Sequence, residues 1–128
     1  MGDRTPKPTV GELEILRVLW ERGPSTVREI HETLTKTRDM GYTTVLKLLQ
    51  IMTAKGTVRR NEEQRAHIYQ ACQSAEETKR ELAGDVLQRV FAGSASQLMM
   101  HALEGRRTSR RELEELRQLL DEYERGLK

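Results

Sequence analysis

Between Gly41 and Gly56 the apolar residues Val45, Leu48, Leu49 and Met52 recur at i, i+3, i+4 and i+7, the spacing of one helical face. Tyr42, Thr43, Lys47 and Gln50 fall on the other faces, and the two glycines bracket the segment as a permissive N-cap and a C-terminal stop. The stretch that follows, Thr57 to Gln70, predicts two short strands around a polar tip, with Val58, Ile68 and Tyr69 directed to the core. Helix, glycine stop and basic hairpin together predict a winged helix-turn-helix.

The same periodicity, with its stop and start signals, sets out the rest of the chain. Thr9-Val-Gly-Glu12 is a capping box opening a helix that carries Leu13, Leu16, Leu19 and Trp20 and ends at Gly23-Pro24. Thr26-Val-Arg-Glu29 is a second box, with Val27, Ile30 and Leu34 inward, after which Lys36 to Met40 turn the chain into the Gly41–Gly56 helix. Ser74-Ala-Glu-Glu77 opens a fourth helix with a stripe of Leu82, Val86, Leu87, Val90 and Phe91 running to Gly93. Ser96 to Glu104 is a short apolar helix closed by Gly105, and Ser109-Arg-Arg-Glu112 opens a last one with Leu113, Leu116, Leu119, Leu120 and Tyr123. The fold class is therefore mainly α with a small β wing: a winged helix at residues 1–73 followed by three helices at 74–128. Those three are too short to enclose a core of their own, so Leu82, Val86, Val90, Phe91, Leu113, Leu116, Leu119, Leu120 and Tyr123 are expected at a homodimer interface. Folding back of these helices on the winged helix in a monomer is the alternative.

Composition narrows the class. The chain has 128 residues, 36% hydrophobic and 33% charged, and no apolar run approaches the roughly 18 residues of a membrane span, so no membrane insertion is expected. Met1 to Pro8 has no apolar stretch behind its charges, so no secretory signal is read and the cytoplasm is the expected compartment. Cys72 is the single cysteine, which excludes an intramolecular disulfide; the alternation around it predicts a buried, inert thiol at a strand end.

Net charge is only +2, but its distribution is uneven. Between Lys36 and Arg65 there are seven Lys/Arg against three Asp/Glu, whereas residues 76–128 hold ten against eleven. The positive bias sits on the predicted reading helix and wing, which points to double-stranded DNA as a partner. Thr43 and Thr44 lie in the first turn of that helix, where hydroxyls and methyls reach base edges, and Lys47 one turn on can meet a guanine edge or a phosphate. Tyr42 suits a phosphate contact and Gln50 an adenine; Thr44 packed inward and Tyr42 capping the core are the competing placements. Arg59, Arg60 and Arg65 are spaced to lie along a phosphate backbone, with Glu62 and Glu63 at the wing tip opposing them or pairing with them.

Catalytic chemistry finds no support. There is no phosphate-cradling glycine loop, paired-cysteine zinc signature or nucleophile elbow, and His31, His67 and His101 are too far apart for a local ligand set. No catalytic residue, metal or cofactor is expected.

The chain resembles the BlaI/MecI/CopY family of bacterial repressors, the penicillinase-repressor type, over nearly its whole length. The resemblance rests on Glu12-Leu-Glu-Ile-Leu-Arg-Val-Leu-Trp20, Tyr42-Thr-Thr-Val-Leu-Lys-Leu-Leu49, Lys55-Gly56, His67-Ile-Tyr69 and Glu112-Leu-Glu-Glu-Leu-Arg117, in this order and spacing. It implies a homodimer that binds a palindromic operator, represses, and is inactivated when a membrane sensor-protease triggers cleavage in the C-terminal half. It also implies base reading at Thr43, Thr44 and Lys47. Two departures stand out: the position of the family's Asn-Phe scissile bond is occupied by His101-Ala102, and the C-terminal cysteine cluster of copper-responsive relatives is absent. Two rival readings are a regulator controlled by a small ligand held near Leu98-Met99-Met100, and a winged helix that binds protein rather than DNA.

Overall fold

The computed structural model describes residues 7–127, so the first six residues of the stretch read for a targeting signal lie outside the described residues. The element order is α1 (Val10–Arg22), α2 (Val27–Leu34), α3 (Tyr42–Lys55), β1 (Val58–Asn61), β2 (Ile68–Ala71), α4 (Ala75–Arg89), α5 (Ala95–Glu104) and α6 (Arg110–Gly126). The chain forms two compact units, divided between Ala83 and Gly84 inside α4.

Local chemistry accounts for the helix starts. Thr9 and Thr26 each accept a hydrogen bond from the amide three residues on, and Glu12 and Glu29 reach back to the cap amide, so both predicted capping boxes form. Ser74 and Glu77 make the same reciprocal pair ahead of α4. Ser94 caps α5 and Ser109 caps α6, though the Glu112 carboxylate turns to Arg106 at 2.8 Å instead of closing a box. In the α3 stop, Gly56 has φ 87°, which a side chain would strain, and its N–H returns to Met52 O at 3.0 Å.

The core of the first unit is built from α1, α2, α3 and the hairpin. Ile15, Leu16, Val18, Leu19, Val27, Ile30, Leu34, Met40, Val45, Leu49, Met52, Val58 and Tyr69 are buried together. Leu13, Trp20 and Leu48, expected in the core, are its half-buried margin, while Ile15 and Val18 join Leu16 and Leu19 as the buried apolar positions of α1. Strands β1 and β2 pair antiparallel, Val58 opposite Ala71 and Arg60 opposite Tyr69. A third extended residue joins them, because Ser25 exchanges both backbone hydrogen bonds with Tyr69, at 3.0 and 2.8 Å. Tyr69 and Ala71 face the core, leaving Ile68 only partly covered and not in the core cluster as expected.

Cys72 also departs from expectation. It lies one residue past the end of β2 and is exposed as a free thiol, not buried, because the alternation that turns Tyr69 and Ala71 inward carries Cys72 outward. The Trp20 indole N–H donates to Gln73 O at 2.9 Å, and Thr78 in the first turn of α4 is buried, so this unit extends past the hairpin.

In the second unit neither α5 nor α6 has a buried residue. Val86, Val90, Leu119, Leu120 and Tyr123 are exposed large apolar side chains, whereas Phe91, Leu113 and Leu116 are partly covered, as is Leu82 in the preceding unit. The α4 end is a tight left-handed turn, with Ala92 at φ 49° and Gly93 at φ 86°, and Gly93 N–H bonds Leu87 O at 2.9 Å. Among the described residues no helix is long and apolar enough to cross a membrane.

Candidate nucleic-acid interface

The two sides of α3 are chemically distinct. Val45, Leu49 and Met52 are fully covered by the core, while Tyr42, Thr43, Thr44, Lys47 and Gln50 are exposed. Helical geometry places Thr43, Lys47, Gln50 and Ala54 in one row, at i, i+4, i+7 and i+11, with Thr44 and Ile51 in a row beside it. The inward placement of Thr44 is not adopted, because Val45 takes the core-facing position next to it. Ile51 is 38% exposed on this outer face. The hydrophobic stripe named from the sequence already excluded Ile51 from the core, which is the signal by which it could have been recognised.

Tyr42 opens the helix. It is 48% exposed, and its ring meets the His31 imidazole edge to face, with centroids 5.7 Å apart and planes at 80°. It does not cap the core.

The start of α3 differs from the other helix starts among the described residues. Gly41 provides no side-chain cap and the first turn has no acidic residue. The amides of the first turn have no intrahelical carbonyl to donate to, so they and the helix dipole leave a local positive potential beside Tyr42, Thr43 and Thr44. Such an end is suited to an anionic oxygen.

The cations of this region are divided between free and committed. Lys55 Nζ lies 2.9 and 3.1 Å from the two carboxylate oxygens of Glu12, which is 2% exposed, so Lys55, one of the seven cations counted between Lys36 and Arg65, is turned to the interior. Arg38 donates to Glu14 at 3.0 Å. Arg60 Nε donates to Glu62 at 2.7 Å, and Tyr69 across the ladder, followed by Glu62, holds the Arg60 guanidinium above its usual pKa. Arg59 lies beside Gln70, whose amide oxygen, turned toward it, accepts from Nη2 at 2.8 Å. Among the described residues Lys36, Lys47, Arg59 and Arg65 form no ion pair. At the wing tip the Glu63 amide donates to Asn61 Oδ1 at 2.9 Å, closing an Asx turn that the sequence reading did not include.

His101 and Ala102 are both exposed in α5, and the His101 ring lies 5.7 Å from that of Phe91. Among the described residues no cluster of His, Cys, Asp or Glu is placed to hold a metal ion.

The sequence model of the penicillinase repressor family matches residues 8–122. Among relatives, the transcriptional regulator BlaI of Mycobacterium tuberculosis is 36% identical over 121 residues, covering 91% of this chain and 86% of that protein. The penicillinase repressor of Bacillus licheniformis is 24% identical over 120 residues, covering 94% of each. The methicillin resistance regulatory protein MecI of Staphylococcus aureus is 22% identical over 121 residues, covering 94% of this chain and 98% of that protein. Two solved structures share the fold. The solution structure of the DNA-binding domain of the repressor BlaI has a TM-score of 0.52 at 22% identity, covering 59% of this chain and 93% of that one. The monomeric form of Bacillus licheniformis BlaI in complex with the blaP half-operator has a TM-score of 0.51 at 23% identity, covering 58% and 90%. The likeness identifies the helices and hairpin as a winged helix.

Proposed function

The chain belongs to the penicillinase repressor family, a family of DNA-binding transcriptional repressors and not of enzymes, and from that premise we propose that it is a cytoplasmic homodimer that represses transcription by holding a palindromic operator. The observation that carries this reading is the outer face of α3. It combines an uncapped N-terminus, exposed Thr43, Thr44, Lys47 and Gln50, and a wing with Arg59 and Arg65 outside any ion pair. Thr43, Thr44 and Lys47 read base edges in the major groove, Gln50 reads deeper along the helix, and Tyr42 and the α3 amides hold a phosphate. Arg59 and Arg65 contact the backbone without reading sequence, while Arg60 beside them stays paired with Glu62.

Residues 1–73 are assigned to DNA binding and 74–128 to dimerisation. Support for the second assignment is the apolar surface of the second unit, where Val90, Leu120 and Tyr123 are each more than half exposed. Isolated exposed apolar residues are ordinary; rows of them at helical spacing on elements without buried residues call for a covering surface. A second copy provides it and also brings a second reading helix, which multiplies affinity for a two-half-site operator without any new contact within the half-site.

Release is assigned to cleavage within the second unit, in the pathway of a membrane sensor-protease. The bond at His101-Ala102 is exposed, and its residue types require a protease preference other than Asn-Phe. The experiment has three parts: selection of duplexes from a random-sequence library with the full chain, light scattering of the free and bound protein, and mass spectrometry of the chain in its host under cell-wall antibiotics. An inverted-repeat consensus, a dimer mass and a fragment ending between Leu98 and Thr108 are the expected results. Monomeric binding to an asymmetric site overturns the dimer, and derepression with the chain intact overturns the cleavage route.

A further inference from the structure

Tyr42 is awkwardly placed for a side chain that must meet a phosphate. It is the first residue of α3, so no preceding helical turn of its own element lies beneath it, and side chains in helices point back toward the N-terminus. Nearly half of its surface is open. Left alone, such a ring samples several orientations, and binding must then freeze it at a cost in affinity.

The His31 imidazole removes that freedom. His31 is one turn before the end of α2, half-buried, and its ring approaches the Tyr42 ring at 5.7 Å and 80°, the edge-to-face geometry that aromatic quadrupoles favour. The contact spans the helix-turn-helix, so it ties the orientation of Tyr42 to α2 as well as to its own helix. We propose that His31 is a positioning residue for DNA binding, holding Tyr42 in the orientation in which its hydroxyl meets a backbone phosphate. The inference rests on the reading of Tyr42 as a phosphate contact. His31 acts through the tyrosine ring and makes no contact with DNA itself.

The test is a double-substitution cycle on the full chain, read as affinity for a duplex recovered by selection with the unsubstituted protein. Tyr42→Phe keeps the ring pair and removes the hydroxyl, and weakens binding by about two- to tenfold. His31→Ala weakens it by a similar or smaller factor, as expected for a side chain that must be immobilised on binding, and in the Tyr42→Phe background it adds less than about twofold. His31→Phe restores the ring contact and with it the affinity, whereas His31→Gln, which can still donate a hydrogen bond, does not. Melting curves show that each variant is folded at the assay temperature.

Each alternative outcome overturns something definite. If Tyr42→Phe binds like the unsubstituted chain, the phosphate contact of Tyr42 is wrong and the inference falls with it. If Tyr42→Phe weakens binding but the losses with His31→Ala add fully, or if His31→Gln restores affinity and His31→Phe does not, then His31 touches DNA directly. In that case the positioning role is wrong while the Tyr42 contact stands.

Discussion

The pair of Glu12 and Lys55 permits a sharp test of which cations belong to the fold and which to DNA. Glu12 closes the capping box of α1 through Thr9 and at the same time accepts from Lys55 at the end of α3, so one buried carboxylate joins the start of one helix to the end of another. Lys55→Met leaves that carboxylate covered by protein with only the Thr9 amide as a partner. Removing one partner of a fully buried pair costs about 3–5 kcal/mol. The Lys55 side chain is 22% exposed, and partial solvent screening brings the expectation down to about 2–3 kcal/mol. Glu12→Gln is milder, about 1 kcal/mol, because the amide oxygen can still cap α1 and Lys55 can turn toward water. Adding Glu12→Gln to Lys55→Met removes the stranded charge and should recover much of the loss.

Trp20 gives the assay its resolution. It is the single tryptophan, and its indole N–H is bonded within the first unit, so its fluorescence reports the unfolding of that unit. For a module of this size about 2–3 kcal/mol lowers Tm by roughly 8–24 °C. Below the transition Lys55→Met should bind DNA with the salt dependence of the unsubstituted chain, since Lys55 neutralises Glu12 and not a phosphate. Unchanged stability, together with a salt slope flatter by about two units for the two lysines of a dimer, would refute the assignment.

Alanine at Thr43 or Lys47 is expected to cost about 1–3 kcal/mol on the selected operator and to relax one base preference per half-site, whereas Arg59→Ala should weaken all duplexes alike; competition binding against scrambled DNA separates the two. A fragment ending at Ala83 should stay folded and monomeric yet bind the palindrome weakly, and Leu116→Glu or Leu120→Glu should produce the same defect in the full chain, as sedimentation velocity would reveal. The Glu29 carboxyl is held below the usual carboxylate range, first by the Thr26 amide and then by Arg22. Its contribution to stability is therefore complete above the unfolded-state value of about 4.3 and is lost as pH falls through the lower folded value; Glu29→Gln should flatten the acid limb of a stability-against-pH curve, and an unaltered limb would contradict it.

Much of the architecture was legible because the signals are local. Thr and Ser caps with Glu three residues on, glycine stops and stripes at i, i+3 and i+4 are written within a single turn of chain, and the six helices and the hairpin follow from them. What could not be read depends on partners distant in sequence. Ser25 joins the hairpin through Tyr69, forty-four residues on. Ile15 and Val18 displace Leu13 from the centre of the core because α1 is covered from more than one side. An interior Cys72 requires the strand to run one residue beyond its end at Ala71 in the other register, and a single residue of register reverses the face.

The interface followed the same division. Helical phase placed Thr43, Lys47 and Gln50 outward correctly, since their exposure depends only on where Val45, Leu49 and Met52 point. Charge counting was less reliable, because a lysine's sequence position does not reveal which carboxylate it meets. Of the cations from Lys36 to Arg65, Arg38, Lys55 and Arg60 are engaged by Glu14, Glu12 and Glu62, leaving Lys36, Lys47, Arg59 and Arg65 outside any ion pair. The difference is measurable. With every one of the seven cations in each half-site neutralising DNA charge, the logarithm of affinity would fall with the logarithm of salt at a slope of about −13 for two half-sites, and with these four at about −7. A slope near the larger magnitude would mean that DNA draws the paired cations away from their carboxylates, and the Glu12–Lys55 pair could not then be the fixed joint between α1 and α3. A slope at or below the smaller magnitude fits a surface in which the ion pairs stay closed on DNA and specificity rests on the outer face of α3.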